Sequence, residues 1–466
     1  MDENTPTVSL VSCMHFVRRG VAKAVPEKIE LSEKELEKII KQTANELRLT
    51  EQGDDVSDDE DEAGPSSARP PPTNPNDEFD FEKYDEEDSG NPVGIGTVAT
   101  LPNLGDLGDN VQIRTDGPDS DEEDDIIKPD DNLLLVGHVE SDASVLEVYI
   151  FNKEEGSFYV HHDIVLPWFP LCIEWLSHDP SDTKPGNLCA LGGMDPVIQV
   201  WDLDIENCLE PAFKLGKKPN KKKKTKRVGH KSAVLDMSWN RNFSHVLASG
   251  SADNTVLLWD LDQGTPHTKL DYFQDKIQTM EFHPHEAQTL LTGCGDGAAR
   301  ASDCREPAAH RAWRLAPEVE RVTWDRANPY CFAMSNNEGQ VAYVDVRSDQ
   351  PVWTLAAHEK EVTGLILSEI PGMLITVSTD GKIKTWDITR SPPAQVSERV
   401  GRVGQALCAA ACPEAPYSLA LGGDNKECFI ELVDLAANEQ VMNCFGSRVP
   451  PAPPQQPAAD GDAMET

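Results

Sequence analysis

The chain has 466 residues, room for two or three ordinary domains or for one large closed repeat architecture, and carries 81 acidic against 42 basic side chains for a formal net charge of −39. Residues 1–130 hold 34 acidic and 12 basic side chains, a net of −22, so more than half of the excess sits in a segment with the composition of a solvated tail. The odd count of eleven cysteines without a CxxC pair argues against a disulfide framework or structural zinc, and the acidic start and lack of a long apolar run lead us to expect a soluble intracellular chain.

In chain order, the first candidate element is VSLVSCMHFV (8–17), β-prone and far from every other strand. It is expected to supply the outer strand of the last repeat and so close a ring, which makes residues 1–25 a closing segment. Residues 26–50 carry a helix signal: Ser32 and Glu35 form a capping box, Leu31 and Leu36 a staple, and Leu36, Ile39, Ile40 and Leu47 share one face. Such a helix could dock on the main domain or enter a partner's groove.

Residues 51–130 are expected to be disordered, with acidic blocks at 54–62, 77–88 and 119–125 separated by Pro/Gly/Ser-rich stretches. Ser57 and Ser120, each followed by three acidic residues, suit an acidophilic kinase of the casein-kinase-II type. A phosphorylated tail would attract basic proteins such as histones, ribosomal proteins or transcription-machinery components; the plainer reading is a solvating tail without a specific partner.

Repeats occupy residues 131–446. LCALGGMDPVIQVWDL (188–203), VLASGSADNTVLLWDL (246–261) and MLITVSTDGKIKTWDI (373–388) each place an Asp six residues before a Trp, as strand, turn, strand. From Trp259 the marker recurs at Ser302, Val344, Trp386 and Val433, in steps of 43, 42, 42 and 47, the period of a four-stranded propeller blade. With a copy at 133–152 around Tyr149, the expected fold is all-β, a β-propeller of seven blades. The segment 447–466 is expected to be a disordered tail.

Two copies carry a complete polar set: His230, Ser249, Asp253 and Trp259, then His358, Thr376, Asp380 and Trp386. These resemble the buried network of WD repeats, so we read them as structural tetrads and not as Ser-His-Asp triads. KLGKKPNKKKKTKR (214–227) is the basic exception to an acidic chain, with Lys217, Lys218, Lys221, Lys222, Lys223, Lys224, Lys226 and Arg227 in one surface loop. It reads as a nuclear-targeting signal, or as a weak or indirect nucleic-acid contact, since no aromatic residue interleaves the lysines.

No phosphate loop, HExxH or GxSxG motif occurs, and neither His161-His162 nor His283-Pro284-His285 has an acidic or Cys partner at ligand spacing in the sequence. No enzyme activity, metal or cofactor is therefore expected. Ser302-Asp303-Cys304-Arg305 and Val344-Asp345-Val346-Arg347 stand where WDxR motifs lie, which resembles substrate receptors of cullin ubiquitin ligases.

YVHHDIVLPWFPLCIEWL (159–176), the opening MHFVRRGVAK, the acidic insert, the lysine loop and QPVWTLAAH (350–358), in this order, resemble the periodic tryptophan protein 1 family over essentially the whole chain. The resemblance implies a chromatin-associated protein of the nucleus and nucleolus that supports ribosomal RNA transcription and ribosome biogenesis; we expect a monomer within larger assemblies. A cullin receptor or a histone-binding chaperone is the alternative.

Overall fold

The computed structural model describes residues 9–29, 126–141, 143–220, 224–306 and 309–448. Of the helix expected at 26–50, residues 30–50 lie outside these residues, as do the acidic blocks, Ser57, Ser120, Lys221 to Lys223 and the tail beyond 448; its opening residues Glu27–Lys28 form a short strand.

The repeat reading holds: the described residues form seven successive antiparallel sheets, the blades of a β-propeller. Every marker position, from Tyr149 and Trp201 through Ser302 and Val344 to Val433, falls on the third strand of its blade and is buried. The reason is the pleat: the marker side chain turns into the layer between blades, and in blades 1 to 6 the third strand also lies between two others. Among the described residues, blades 1 to 6 have four strands each, blade 2 within 170–215, blade 3 within 234–270, blade 4 within 277–314, blade 5 within 319–356 and blade 6 within 362–400; blade 7 has three, Ala406–Ala411, Ser418–Gly423 and Ile430–Asp434.

The N-terminal strand does not complete blade 7, contrary to the expectation from its sequence. Ser9–Val17 pairs with Asn132–Glu140 and is the first strand of blade 1. Asn132–Glu140 is apolar almost throughout and needs a partner on both edges, whereas pairing at the outer edge of blade 7 would have left one of them open. The ring closes instead by packing. Val11, Met14 and Phe16 join Cys408, Cys412 and Ala420 of blade 7 in one cluster. The approach is close: a Cβ at Gly422 would lie 2.5 Å from Val11 Cγ1.

The segment 30–125 is thus an insertion between the first and second strands of one blade, and the described residues on either side of it meet. Ile127 N donates to the Ala24 carbonyl at 2.8 Å, Lys23 N to Asp204 Oδ1 at 3.1 Å, and Glu27–Lys28 pairs in parallel with Ile205–Glu206.

A short helix follows the last strand of blade 7, at Glu439–Phe445. Asn438 caps it by accepting from Gln440 N and Val441 N. Its Val441 and Phe445 are buried with Ile370, Met373, Tyr417 and Leu419, between the sheets of blades 6 and 7. Among the described residues no helix is long and apolar enough to cross a membrane.

Candidate functional site

Both polar sets are brought together. In blade 3, His230 Nε2 lies 2.7 Å from Ser249 Oγ, Trp259 Nε1 donates to the same oxygen at 2.7 Å, and His230 Nδ1 is 3.3 Å from Asp253. Burial pushes the Asp253 carboxyl up, but hydrogen bonds from His230, Thr255 and Lys231 N outweigh it and hold the group well below the usual carboxylate range. Blade 6 repeats this, with His358 Nε2 to Thr376 Oγ1 at 2.8 Å, Trp386 Nε1 to Thr376 Oγ1 at 2.9 Å and His358 Nδ1 to Asp380 Oδ2 at 3.0 Å. Ser249 and Thr376 are 0% exposed, so neither hydroxyl has a route to a substrate. Gly229, at φ +100, lets the chain enter His230; a Cβ there would lie 2.8 Å from Trp259 Cη2.

Other blades hold fragments of the set. In blade 2 Leu191 occupies the place of Ser249, and the buried Trp201 indole N–H has no hydrogen-bond partner. In blade 4 the turn residue Asp296 is held by Arg300, Nη2 to Oδ2 at 2.5 Å.

The first strands of the blades line the central channel, and their polar side chains reach from blade to blade. Trp239 N donates to Glu174 Oε1 at 3.1 Å, Met280 N to Asp236 Oδ2 at 2.7 Å, and Trp324 N to Glu281 Oε2 at 2.8 Å. Each carboxylate thus accepts a backbone donor of the next blade. In the sequence two of these carboxylates stand directly before an aromatic residue at a strand end, in Glu174-Trp175 and Glu281-Phe282, whereas Asp236 precedes Met237 and carries no such mark.

At one mouth of the channel lies a cavity of about 430 Å³, lined in part by His15, Glu174, Trp239, Arg241, Glu281 and Arg326. Burial pushes Glu174 up to about 8 against the pull of Arg241, and burial followed by Arg241 takes His15 down to about 4. The imidazole is therefore neutral and the carboxyl largely protonated near neutral pH, and the positive charge of the pocket comes from its guanidiniums. With the guanidiniums of Arg241 and Arg326 beside His15 and Glu174, and Glu281 also in the lining, the pocket can offer charged donors to a carboxylate or main-chain carbonyl of a partner.

The lysine loop is a hairpin growing from the blade 2 strand Phe213–Leu215, with Lys217 bridged to Val228 and Asn220 to Thr225. Two of its charges, though exposed, have partners on the propeller: Lys218 Nζ lies 2.6 Å from Asp195 Oδ2, and Arg227 Nη1 donates to the His230 carbonyl at 3.1 Å. Lys217, Lys224 and Lys226 are exposed. Arg305 and Arg347 are also exposed, but each folds back on the Asp two residues before it, at 2.6 Å to Asp303 and Asp345.

The WD domain, G-beta repeat family matches residues 221–260 and 349–387, which contain the turn Asp, hydroxyl and Trp of the two complete tetrads. Beyond these repeats, the chain is 44% identical over 90% of its length to the periodic tryptophan protein 1 homolog of Drosophila melanogaster, 93% of which is covered. The chain belongs to the periodic tryptophan protein 1 family. The protein of that name from Saccharomyces cerevisiae is 30% identical over 94% of this chain and 90% of its own. An uncharacterized WD repeat-containing protein of Schizosaccharomyces pombe is 31% identical over 95% and 92%. These matches span far more than the two recognisable repeats, so the family likeness includes the degenerate blades.

Proposed function

We propose that this periodic tryptophan protein 1 family member is a non-enzymatic nuclear scaffold, associated with chromatin and the nucleolus, that supports ribosomal RNA transcription and ribosome biogenesis. The observation that carries the scaffold reading is the burial of both Ser/Thr-His-Asp sets, whose hydroxyls are engaged by indole N–H groups. Those sets act as structural tetrads, and the open, charged place on the ring is the channel mouth around Arg241 and Arg326. Support for the ribosomal reading comes from the full-length relationship to the family.

Two surfaces of opposite charge divide the work in this reading. The lysine loop, Lys217 to Arg227, directs nuclear entry, and the acidic segment 51–130, phosphorylated at Ser57 and Ser120, attracts basic partners. Replacing Lys221 to Lys224 with Ala should move the tagged protein to the cytoplasm with its fold intact.

The test of the main reading is sedimentation of cell extracts with pulse labelling of precursor ribosomal RNA. Depletion should lower labelling, wild-type protein should restore it, and Arg241→Glu with Arg326→Glu should not. Unchanged labelling on depletion refutes the ribosomal reading. Co-purification with a cullin adaptor that is lost in Arg305→Ala plus Arg347→Ala would establish the ligase-receptor alternative.

A further inference from the structure

The outer strand of blade 1, Ser157–Leu166, does not run regularly against its neighbour. His162 pairs with Val148 and Val160 with Tyr149, which leaves His161 as the extra residue of a β-bulge. Adjacent side chains of a regular strand leave on opposite faces. Here the bulge gathers two adjacent imidazoles, with His161 Nδ1 2.9 Å from His162 Nδ1.

Glu206 arrives from elsewhere in the chain. It belongs to the two-residue strand Ile205–Glu206 beyond the third strand of blade 2, held by Glu27–Lys28 at the neck of the insertion. Its side chain divides its two oxygens: Oε2 faces Lys28 Nζ at 3.6 Å, while Oε1 points at the histidine pair, 3.9 Å from His161 Nδ1. Glu206 is 7% exposed and Oε1 has no hydrogen-bond partner. A carboxylate oxygen taken from water and given no donor is costly, and such a group calls for an explanation. One donor atom from each of the three side chains lies within 4.8 Å of the others.

We propose that His161, His162 and Glu206 form a binding site for a divalent transition-metal ion, zinc by the chemistry of its donors, which ties the outer edge of blade 1 to the Ile205–Glu206 strand on which the neck of the insertion rests. Two imidazoles and one carboxylate are a donor set that zinc accepts with a fourth position open to water, whereas calcium and magnesium call for oxygen ligands. A tetrahedral ion with nitrogen and oxygen ligands sets its donors about 3.3 Å apart. The histidine pair therefore opens by roughly 0.4 Å and the carboxylate approaches by roughly 0.6 Å. Lys28 stands on the far oxygen of the carboxylate, where it orients Glu206 and tempers the affinity. The ion would join two stretches distant in sequence, the outer edge of blade 1 and the Ile205–Glu206 strand between the third and fourth strands of blade 2, and the second of these carries the neck strand Glu27–Lys28.

The full-length protein, stripped of metal, is titrated with Co²⁺ and then with Zn²⁺. One equivalent of Co²⁺ should give the visible absorption of a low-coordinate ion without a thiolate charge-transfer band, and Zn²⁺ should displace it. Glu206→Gln, which keeps the shape of the side chain, should weaken binding by about tenfold or more, and His161→Ala with His162→Ala should abolish the band. Zinc should raise the melting temperature of the wild type and not of the variants. Absence of the band, a thiolate band, or equal affinity in wild type and Glu206→Gln overturns the site. Should the double alanine variant fail to fold, Glu206→Gln decides alone.

Discussion

Arg448 closes both guanidinium nitrogens on the carboxylate of Asp387, Nη1 to Oδ1 and Nη2 to Oδ2 at 2.9 Å each, tying the end of the described chain to the third strand of blade 6. The Asp387 side chain is 1% exposed, and the hydrogen bonds from Arg448 hold its carboxyl well below the usual range. A depressed folded value contributes stability that is present above the unfolded value of about 4 and is lost as the pH falls through the acid range. Arg448→Ala should cost about 1–3 kcal/mol at pH 7, with Thr389 and Arg390 still serving the carboxylate. The loss should shrink toward pH 3 in urea melts, and a pH-independent cost would rule out the ion pair as its source.

Glu174 behaves in the opposite sense. Burial raises it from 4.5 to about 8, so the folded chain favours the protonated form. Stability from this group is complete below the unfolded value and declines as the pH rises through the folded value near 8. Glu174→Gln keeps the acceptor for Trp239 N and removes the ionisation, so its stability relative to wild type should rise between the unfolded value of 4.5 and the folded value of about 8 and level off above it. Parallel stability profiles for the two proteins across this range would show that Glu174 is ionised throughout.

Asp253→Ala and Asp380→Ala should each cost about 1–3 kcal/mol, because each strands the donors that converge on the carboxylate. The effect should appear in thermal melts and in partner binding only as far as the ring unfolds. A catalytic turnover lost in either variant at unchanged melting temperature would refute the structural reading.

Deleting residues 1–20 removes the first strand of blade 1 and uncovers Leu133, Leu135 and the blade 7 cluster around Cys408. It should lower stability far more than deletion of residues 50–125, whose loss leaves the described neck intact. Equal melting temperatures for the two truncations would remove the N-terminal strand from the closing seam.

Much of this architecture is local and therefore legible. The turn Asp, the marker Trp and the hydroxyl of a tetrad lie on two adjacent strands joined by a short turn, so spacing alone finds Ser249, Asp253 and Trp259, and the period extends the reading to Ser302, Val344 and Val433. Turn chemistry and strand alternation determined the blades, their number and the tetrads. Tertiary structure decided the rest. Ser9–Val17 is an equally good strand for either side of the seam, and only the unmet edge of Asn132–Glu140 assigns it to blade 1. Glu174, Asp236 and Glu281 bond across blades, at separations of more than 40 residues that no local pattern encodes. His161 and His162 share a side because a bulge breaks the strand's two-residue alternation, and Glu206 joins them because the ring sets the edges of blades 1 and 2 side by side. Register and ring closure depend on which edges and faces the whole chain buries, and that information exists only once the blades have packed.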